Sequence, residues 1–190
     1  MKRALVWLER GLLAAGAVLA IWCAVILAEA HYYKSMPLPP PTAAAPAVPA
    51  PRPAPAAGDW LARLEAPSVD LTATVLEGTD DRTLNRAAGH IEETPLPGEA
   101  GNVGIAGHRD TTFRRVRNLK EGDLLVLTTA DRRVQYRVAS TRIVNPEDVS
   151  VLDPTAQPTL TLVSCYPFEF IGHAPKRYII RADQIAEEKR

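Results

Sequence analysis

Residues 159–167 read Thr-Leu-Thr-Leu-Val-Ser-Cys-Tyr-Pro. Threonine and leucine alternate, the two-residue period of a strand with one face buried. The run is short and rich in strand-favouring residues. It closes on a proline, which lacks the amide proton a central strand needs. A strand therefore ends at Cys165. Working outward, similar segments appear at 177–182, at 102–107 and at 60–65 with 69–76, the last two divided by Pro67. Segments 124–129 and 133–144 flank Ala-Asp-Arg, a hairpin signal. Helical signals are brief: 81–88 with Asp80 as its N-cap, and turns near 113–118 and 147–152. Many short strands punctuated by Gly and Pro predict a mainly β domain, a closed or nearly closed barrel.

That domain occupies residues 59–190 of a 190-residue chain. It carries 17 basic and 20 acidic side chains, and the whole chain has a formal net charge of zero. Neither value suits an electrostatic nucleic-acid binder. Two cysteines exclude a disulfide-stapled scaffold and any Cys-rich zinc module.

What precedes the domain is different in kind. Residues 11–28, GLLAAGAVLAIWCAVILA, are uncharged. As a helix they span roughly 27 Å, close to the thickness of a bilayer's hydrocarbon core. Lys2, Arg3 and Arg10 come before the run, against a single Glu9, and Trp7, Tyr32 and Tyr33 flank it. The positive-inside rule then predicts a cytoplasmic N-terminus (1–10), a signal anchor (11–30) and everything later outside the inner membrane. Ala28-Glu29-Ala30 has the small-x-small spacing of a signal-peptidase site, so cleavage is a rival reading. Both readings export the domain. Residues 31–58 form the connection, and 37–57 hold nine of the 17 prolines. Such a stretch forms neither helix nor sheet and reads as a semi-rigid spacer reaching roughly 60 Å.

Cys165 then stands out. Cys23 lies inside the apolar run and cannot pair with it in an exported domain. An unpaired exported thiol is either reactive or a buried core residue. Its place at a strand end, before a Pro-containing loop, favours a reactive rim position. A catalytic thiol needs a proton partner. His108 follows the strand 102–107 and is the leading candidate, with His173, nearer in sequence, as the alternative. His90 reads as a surface loop histidine, and His31 abuts the membrane. Attack on a carbonyl also needs an oxyanion donor. Arg177, twelve residues beyond Cys165, opens the last strand, where a hairpin would set it beside the cysteine; Arg109 and Arg181 are weaker competitors. Asp110 invites a Cys-His-Asp triad, though a turn cap or partner of Arg109 is the preferred reading. Too few further ligands accompany His108 and Cys165 for a zinc site.

The motifs carrying these residues resemble the sortase family. Thr161-Leu162-Val163-Ser164-Cys165 is similar to its Thr-Leu-x-Thr-Cys signature, with Ser where Thr is usual. Gly107-His108-Arg109-Asp110-Thr111 resembles the family's His strand end, and Lys176-Arg177-Tyr178-Ile179-Ile180 its Arg strand. Pro97-Gly98-Glu99, Asn102 and the stretch 149–154 also fit. The Cys165-Tyr166-Pro167-Phe168 continuation and Ala174-Pro175-Lys176-Arg177 look most like class D. The resemblance covers residues 60–182. It implies a sortase-type eight-stranded β-barrel with short helices behind a transmembrane helix, and a membrane-anchored cysteine transpeptidase. Cys165 would be the nucleophile, His108 the general acid/base and Arg177 the oxyanion or substrate-positioning donor, with Ser164 and Ala106 contacting substrate. No metal or cofactor is implied. The implied partners are secreted proteins with a C-terminal signal like Leu-Pro-x-Thr-Gly or Leu-Pro-x-Thr-Ala, and an amine acceptor on a cell-wall precursor or protein. Two other functions compete: an exported Cys-His hydrolase, and a non-enzymatic β-barrel surface module.

Overall fold

The computed structural model describes residues 2–37, 54–169 and 172–190. The proline-rich spacer falls mostly on residues 38–53, outside the described residues. Helix α1 covers Lys2–Ser35, and its stretch Glu9–Tyr33 is long and apolar enough to cross a membrane. The side chains of that stretch are almost all exposed. Its C-terminal end meets the β domain. Glu29 pairs with Arg86 at 3.2 Å, and the carbonyls of Tyr33 and Met36 accept from Thr74 and Arg63.

Eight strands follow: β1 (Trp60–Ala66), β2 (Leu71–Glu77), β3 (Ala88–His90), β4 (Asn102–Gly107), β5 (Leu124–Thr128), β6 (Arg132–Val144), β7 (Thr159–Tyr166) and β8 (Lys176–Lys189). They close into a barrel in the order β1-β2-β3-β4-β7-β8-β6-β5. Closure removes every unpaired edge, which is how short strands avoid edge-to-edge association. Two neighbours are parallel, β2 with β3 and β4 with β7; the others are antiparallel. The interior is filled by Leu64, Ile105, Leu125, Leu127, Tyr136, Leu160, Leu162 and Ile180, all fully buried.

The alternation in 159–167 therefore does its work: Leu160 and Leu162 face the core, and by the period of two Thr161, Val163 and Cys165 face outward. The β5–β6 hairpin forms as expected, with Thr129 N–H donating to the Arg132 carbonyl at 2.9 Å.

Two expectations fail. The helix at 81–88 is only Asp81–Leu84 (α2), capped by Asp80, because Ala88 is drawn into β3, whose Ala88, Gly89 and His90 pair with Val75, Leu76 and Glu77 of β2. His90 is no surface loop residue either. It is 1% exposed, with Nδ1 2.8 Å from Glu77 Oε2 and Nε2 3.0 Å from the Pro95 carbonyl.

Candidate active site

Three adjacent strands build the site. In the register of β7 on β8, Cys165 stands directly opposite Arg177. In the parallel register of β4 on β7, Gly107 stands opposite Ser164. The next residue along β4, His108, is thereby delivered beside Cys165. The outward parity is common to all three strands: Val103 and Ile105, Leu160 and Leu162, and Ile180 and Ala182 point into the core, so Ala106, Val163 and Ile179 lie in one outward row, in which Ala106 and Val163 are partly exposed and Ile179 is buried. Cys165, His108 and Arg177 are each partly exposed at the end of that row.

The far end of the row is walled. Gly104 sits where an added Cβ would meet Leu152, Ile91 and Thr94 at 3.0–3.1 Å. Leu152 belongs to the 3₁₀ turn Val149–Leu152. Asn102 holds that turn in place, its Nδ2 donating to the carbonyls of Val151 and Asp153 at 3.0 and 3.1 Å. Thr161 Oγ1 in turn donates to Asn102 Oδ1 at 2.6 Å. Ala106 and Val163 thus give a short, partly exposed apolar strip, with Leu152 toward one end and the Cys, His and Arg toward the other.

Arg177 Nη1 donates to the carbonyls of Ala174 and Lys176 at 3.2 and 3.0 Å. These bonds fix the guanidinium at the start of β8 and leave its remaining N–H groups unbonded among the described residues. A planar fork held on one side and open on the other is suited to receive an oxyanion. His173 is exposed in the β7–β8 connection, away from the strand registers that bring His108 to Cys165. Asp110 is exposed. Arg181 lies four residues along β8 from Arg177, opposite Thr161 and not Cys165.

Ser164 is placed differently from the expected substrate contact. Its hydroxyl is 2% exposed and donates to the Gly107 carbonyl at 3.0 Å. Adjacent residues on a strand face opposite ways, so a residue next to the outward Cys165 must point inward. Its bond ties β7 to β4 one residue before the thiol. Arg109 makes contacts that the sequence did not reveal. Its Nη1 and Nη2 donate to the carbonyls of Pro167 and Gly172, both at 3.0 Å. No local pattern signals bonds that span 58 residues or more.

The Sortase domain family matches residues 64–185, well over half of the chain. The chain belongs to the sortase family. Among its relatives, Sortase D of Bacillus subtilis (strain 168) is 37% identical over 123 residues, 64% of this chain and 62% of that protein. Sortase SrtE1 of Streptomyces coelicolor is 35% identical over 129 residues, 58% of this chain and 37% of that one. The sortase described here thus spans less than two thirds of these curated relatives. Among solved structures, a Clostridium perfringens Sortase D5 transpeptidase superposes with a TM-score of 0.62 at 31% identity, covering 69% of this chain and 82% of that one. Sortase E1 from Streptomyces coelicolor, solved with a tripeptide in its active site, gives 0.64 at 34% identity, over 70% and 92%. The mainly β, closed eight-stranded barrel expected from the sequence is the fold these sortases share.

Proposed function

We propose that this sortase is a class D-like cysteine transpeptidase anchored in the cell membrane by α1. The observation that carries the reading is the shared register of β4, β7 and β8, which supports a thiol, an imidazole and a guanidinium acting on one bound carbonyl. The substrate is a secreted protein with a C-terminal Leu-Pro-x-Thr-Gly or Leu-Pro-x-Thr-Ala signal. Its apolar Leu-Pro segment fits the partly exposed strip of Ala106 and Val163. The Cys165 thiolate attacks the Thr carbonyl, forming a C–S bond. Arg177 N–H groups stabilise the resulting oxyanion. His108 gives a proton to the departing amine, the C–N bond breaks, and a thioester remains on Cys165. An incoming amine on a cell-wall precursor or protein then attacks the thioester. His108 takes its proton, and the thiolate leaves as a new amide forms. In this reading residues 1–10 are cytoplasmic, 11–30 cross the membrane, 31–58 are the Pro/Ala-rich linker, and 59–190 are the extracytoplasmic catalytic domain.

The roles are separable by leaving group. His108→Ala removes proton delivery to the departing amine, so an ester substrate, whose alkoxide leaves with less assistance, recovers part of its acylation rate. Arg177→Lys keeps charge but loses the planar fork, and costs about 10²–10³ in turnover with either substrate. Pre-steady-state acylation with matched amide and ester peptides tests this, with Cys165→Ala as the variant that gains no peptide mass. Equal rescue of His108→Ala and Arg177→Lys by the ester refutes the assignment, and a Cys165→Ala variant that still forms the adduct refutes the nucleophile.

A further inference from the structure

We propose that Arg109 is a positioning residue for the second half of the reaction: it holds the β7–β8 connection against the His108 turn and so shapes the site where the acceptor amine approaches. The inference rests on the transpeptidase reading above.

The observation is the geometry of one guanidinium. Arg109 follows His108 directly in the chain. Its Nη1 bonds the Pro167 carbonyl, two residues past Cys165, and its Nη2 bonds the Gly172 carbonyl, five residues before Arg177. One planar group therefore joins both arms of the segment linking nucleophile to oxyanion donor, and fastens them to the strand end that carries the histidine. The opposite end of that segment is fastened by Arg177 Nη1 on the Ala174 and Lys176 carbonyls. The backbone of the turn is itself fixed, because Phe113 N–H donates to the His108 carbonyl at 2.8 Å and Phe113 is fully buried.

The position of these bonds decides which substrate feels them. From Cys165 the partly exposed Ala106 and Val163 run back toward Gly104 and Leu152. The acyl half of the substrate has its surface there. The Arg109 bonds lie in the other direction, past the strand ends. That is the side from which the first amine departs and the second one enters. Arg109 touches neither half of the reaction in this arrangement; it acts through the backbone it holds. The same segment is also held by Phe168, which packs edge-on against Tyr166 and Tyr178, and by Arg117, which lies over the Phe168 ring at 6.0 Å and pairs with the 89%-exposed Glu169 at 3.2 Å; the exposed pair contributes little, and none of these contacts reaches the His108 turn as Arg109 does.

The test uses the full-length protein in membranes or detergent, with Arg109→Gln, Arg109→Lys and, as control, Arg117→Gln. A sorting-signal peptide and a diamino acid amide serve as donor and acceptor. Transpeptidation and hydrolysis products come from the same acyl-enzyme, so their ratio at fixed amine is independent of how much protein is folded. Arg109→Gln is expected to lower that ratio about tenfold, the usual effect of losing a charge-assisted hydrogen bond. KM for the amine rises while KM for the peptide stays near its wild-type value. Arg109→Lys does not rescue, because a single ammonium does not span two carbonyls as a fork does. Arg117→Gln leaves the ratio unchanged. Amide hydrogen exchange at Phe168, Glu169, His173 and Ala174 is expected to quicken in both Arg109 variants, whatever the activity. An unchanged ratio, full rescue by Lys, or equal rises in both KM values overturns the inference, as does unchanged exchange. If exchange quickens but wild type forms no acyl-enzyme at all, the transpeptidase reading is what fails, and the acceptor role falls with it.

Discussion

Gly107→Ala adds one methyl group at the residue before the candidate histidine, and the structure predicts a large effect from it. Gly107 faces the barrel interior. A Cβ there lies 2.6, 2.7 and 2.9 Å from Cγ, Cδ2 and Cδ1 of the Phe113 ring. Carbon atoms in optimal contact sit about 3.5–4.0 Å apart, so the methyl overlaps the ring by about 1 Å. The ring has nowhere to go. Phe113 is fully buried and belongs to the same core as Val116, Leu119 and Ile105, and its own N–H is bonded to the His108 carbonyl. Overpacking of this kind costs on the order of 1–3 kcal/mol. The strain reaches the site because the clashing ring and the histidine share that backbone bond. A displacement of about 1 Å at a reacting group can lower a rate by about 10². The assay is a pair of measurements on Gly107→Ala, Phe113→Leu and the double variant: urea unfolding followed by circular dichroism, and acylation at a temperature where all are folded. Phe113→Leu alone loses packing, but it also makes room for the methyl. The double variant should therefore be more stable than the sum of the single effects, with a coupling of about 1 kcal/mol or more. Strict additivity, or a Gly107→Ala variant with wild-type stability and acylation, refutes the argument that the ring excludes a side chain there.

Three further outcomes follow from single residues. Asn102→Ala leaves the Val151 and Asp153 carbonyls and Thr161 Oγ1 without their partner; the two buried ones, at Val151 and Thr161, cost about 1–3 kcal/mol each, and KM for the sorting-signal peptide rises as the Leu152 wall loosens. Tyr136→Phe removes a buried hydroxyl that has no partner among the described residues and whose pKa burial pushes up; the stability measured by urea unfolding is expected to hold or to rise by about 1 kcal/mol, and a clear loss refutes the idea that the group is unpaired. Asp80 is held below its ordinary value of 3.8 first by the Thr83 hydroxyl and also by the Thr83 and Arg82 amides. A depressed carboxyl stabilises fully above its unfolded value and loses that effect as pH falls through its folded value. The melting-temperature gap between wild type and Asp80→Asn is thus expected to be full at neutral pH and to close in acid, and a gap that widens in acid reverses the reasoning.

How much of this was legible beforehand depends on the range of the interaction. Strand β7 was readable because its alternation is local, and so was the outward direction of Cys165. The same parity turns Ser164 inward, against the substrate contact expected of it. Strand β3 was not readable. Ala88, Gly89 and His90 include no β-branched residue, and the segment is a strand only because β2 and β4 lie on either side of it. Gly89 is demanded by tertiary contact alone, since a Cβ there would lie 2.2 Å from the Gly78 carbonyl oxygen. His90 looked exposed for a related reason: its partner Glu77 is 13 residues away, and nothing nearby announces it. The last strand was legible only to residue 182. Beyond it the chain turns charged, and β8 persists to Lys189 because β6 offers partners, among them Arg132 for Glu187 at 3.1 Å.

The position of the chemistry on this barrel follows from one pairing. In antiparallel neighbours the end of one strand meets the beginning of the next, so two strand ends are rarely side by side. Strands β4 and β7 are parallel, and both run out at the same rim. That is what sets His108 next to Cys165. Strand β8 runs against β7, so it begins at that rim and supplies Arg177. Three groups distant in sequence thus meet without any loop having to reach across. The arrangement carries a risk, since a slip of one residue between β4 and β7 would turn Cys165 into the core. Two buried bonds guard the register at its two ends: Thr161 Oγ1 to Asn102 Oδ1, and Ser164 Oγ to the Gly107 carbonyl. A slip would leave both hydroxyls buried without these acceptors, which costs about 1–3 kcal/mol for each. The hydroxyl beside the cysteine accordingly matters for where the thiol points, and that requirement is met by Ser164 as well as it would be by threonine.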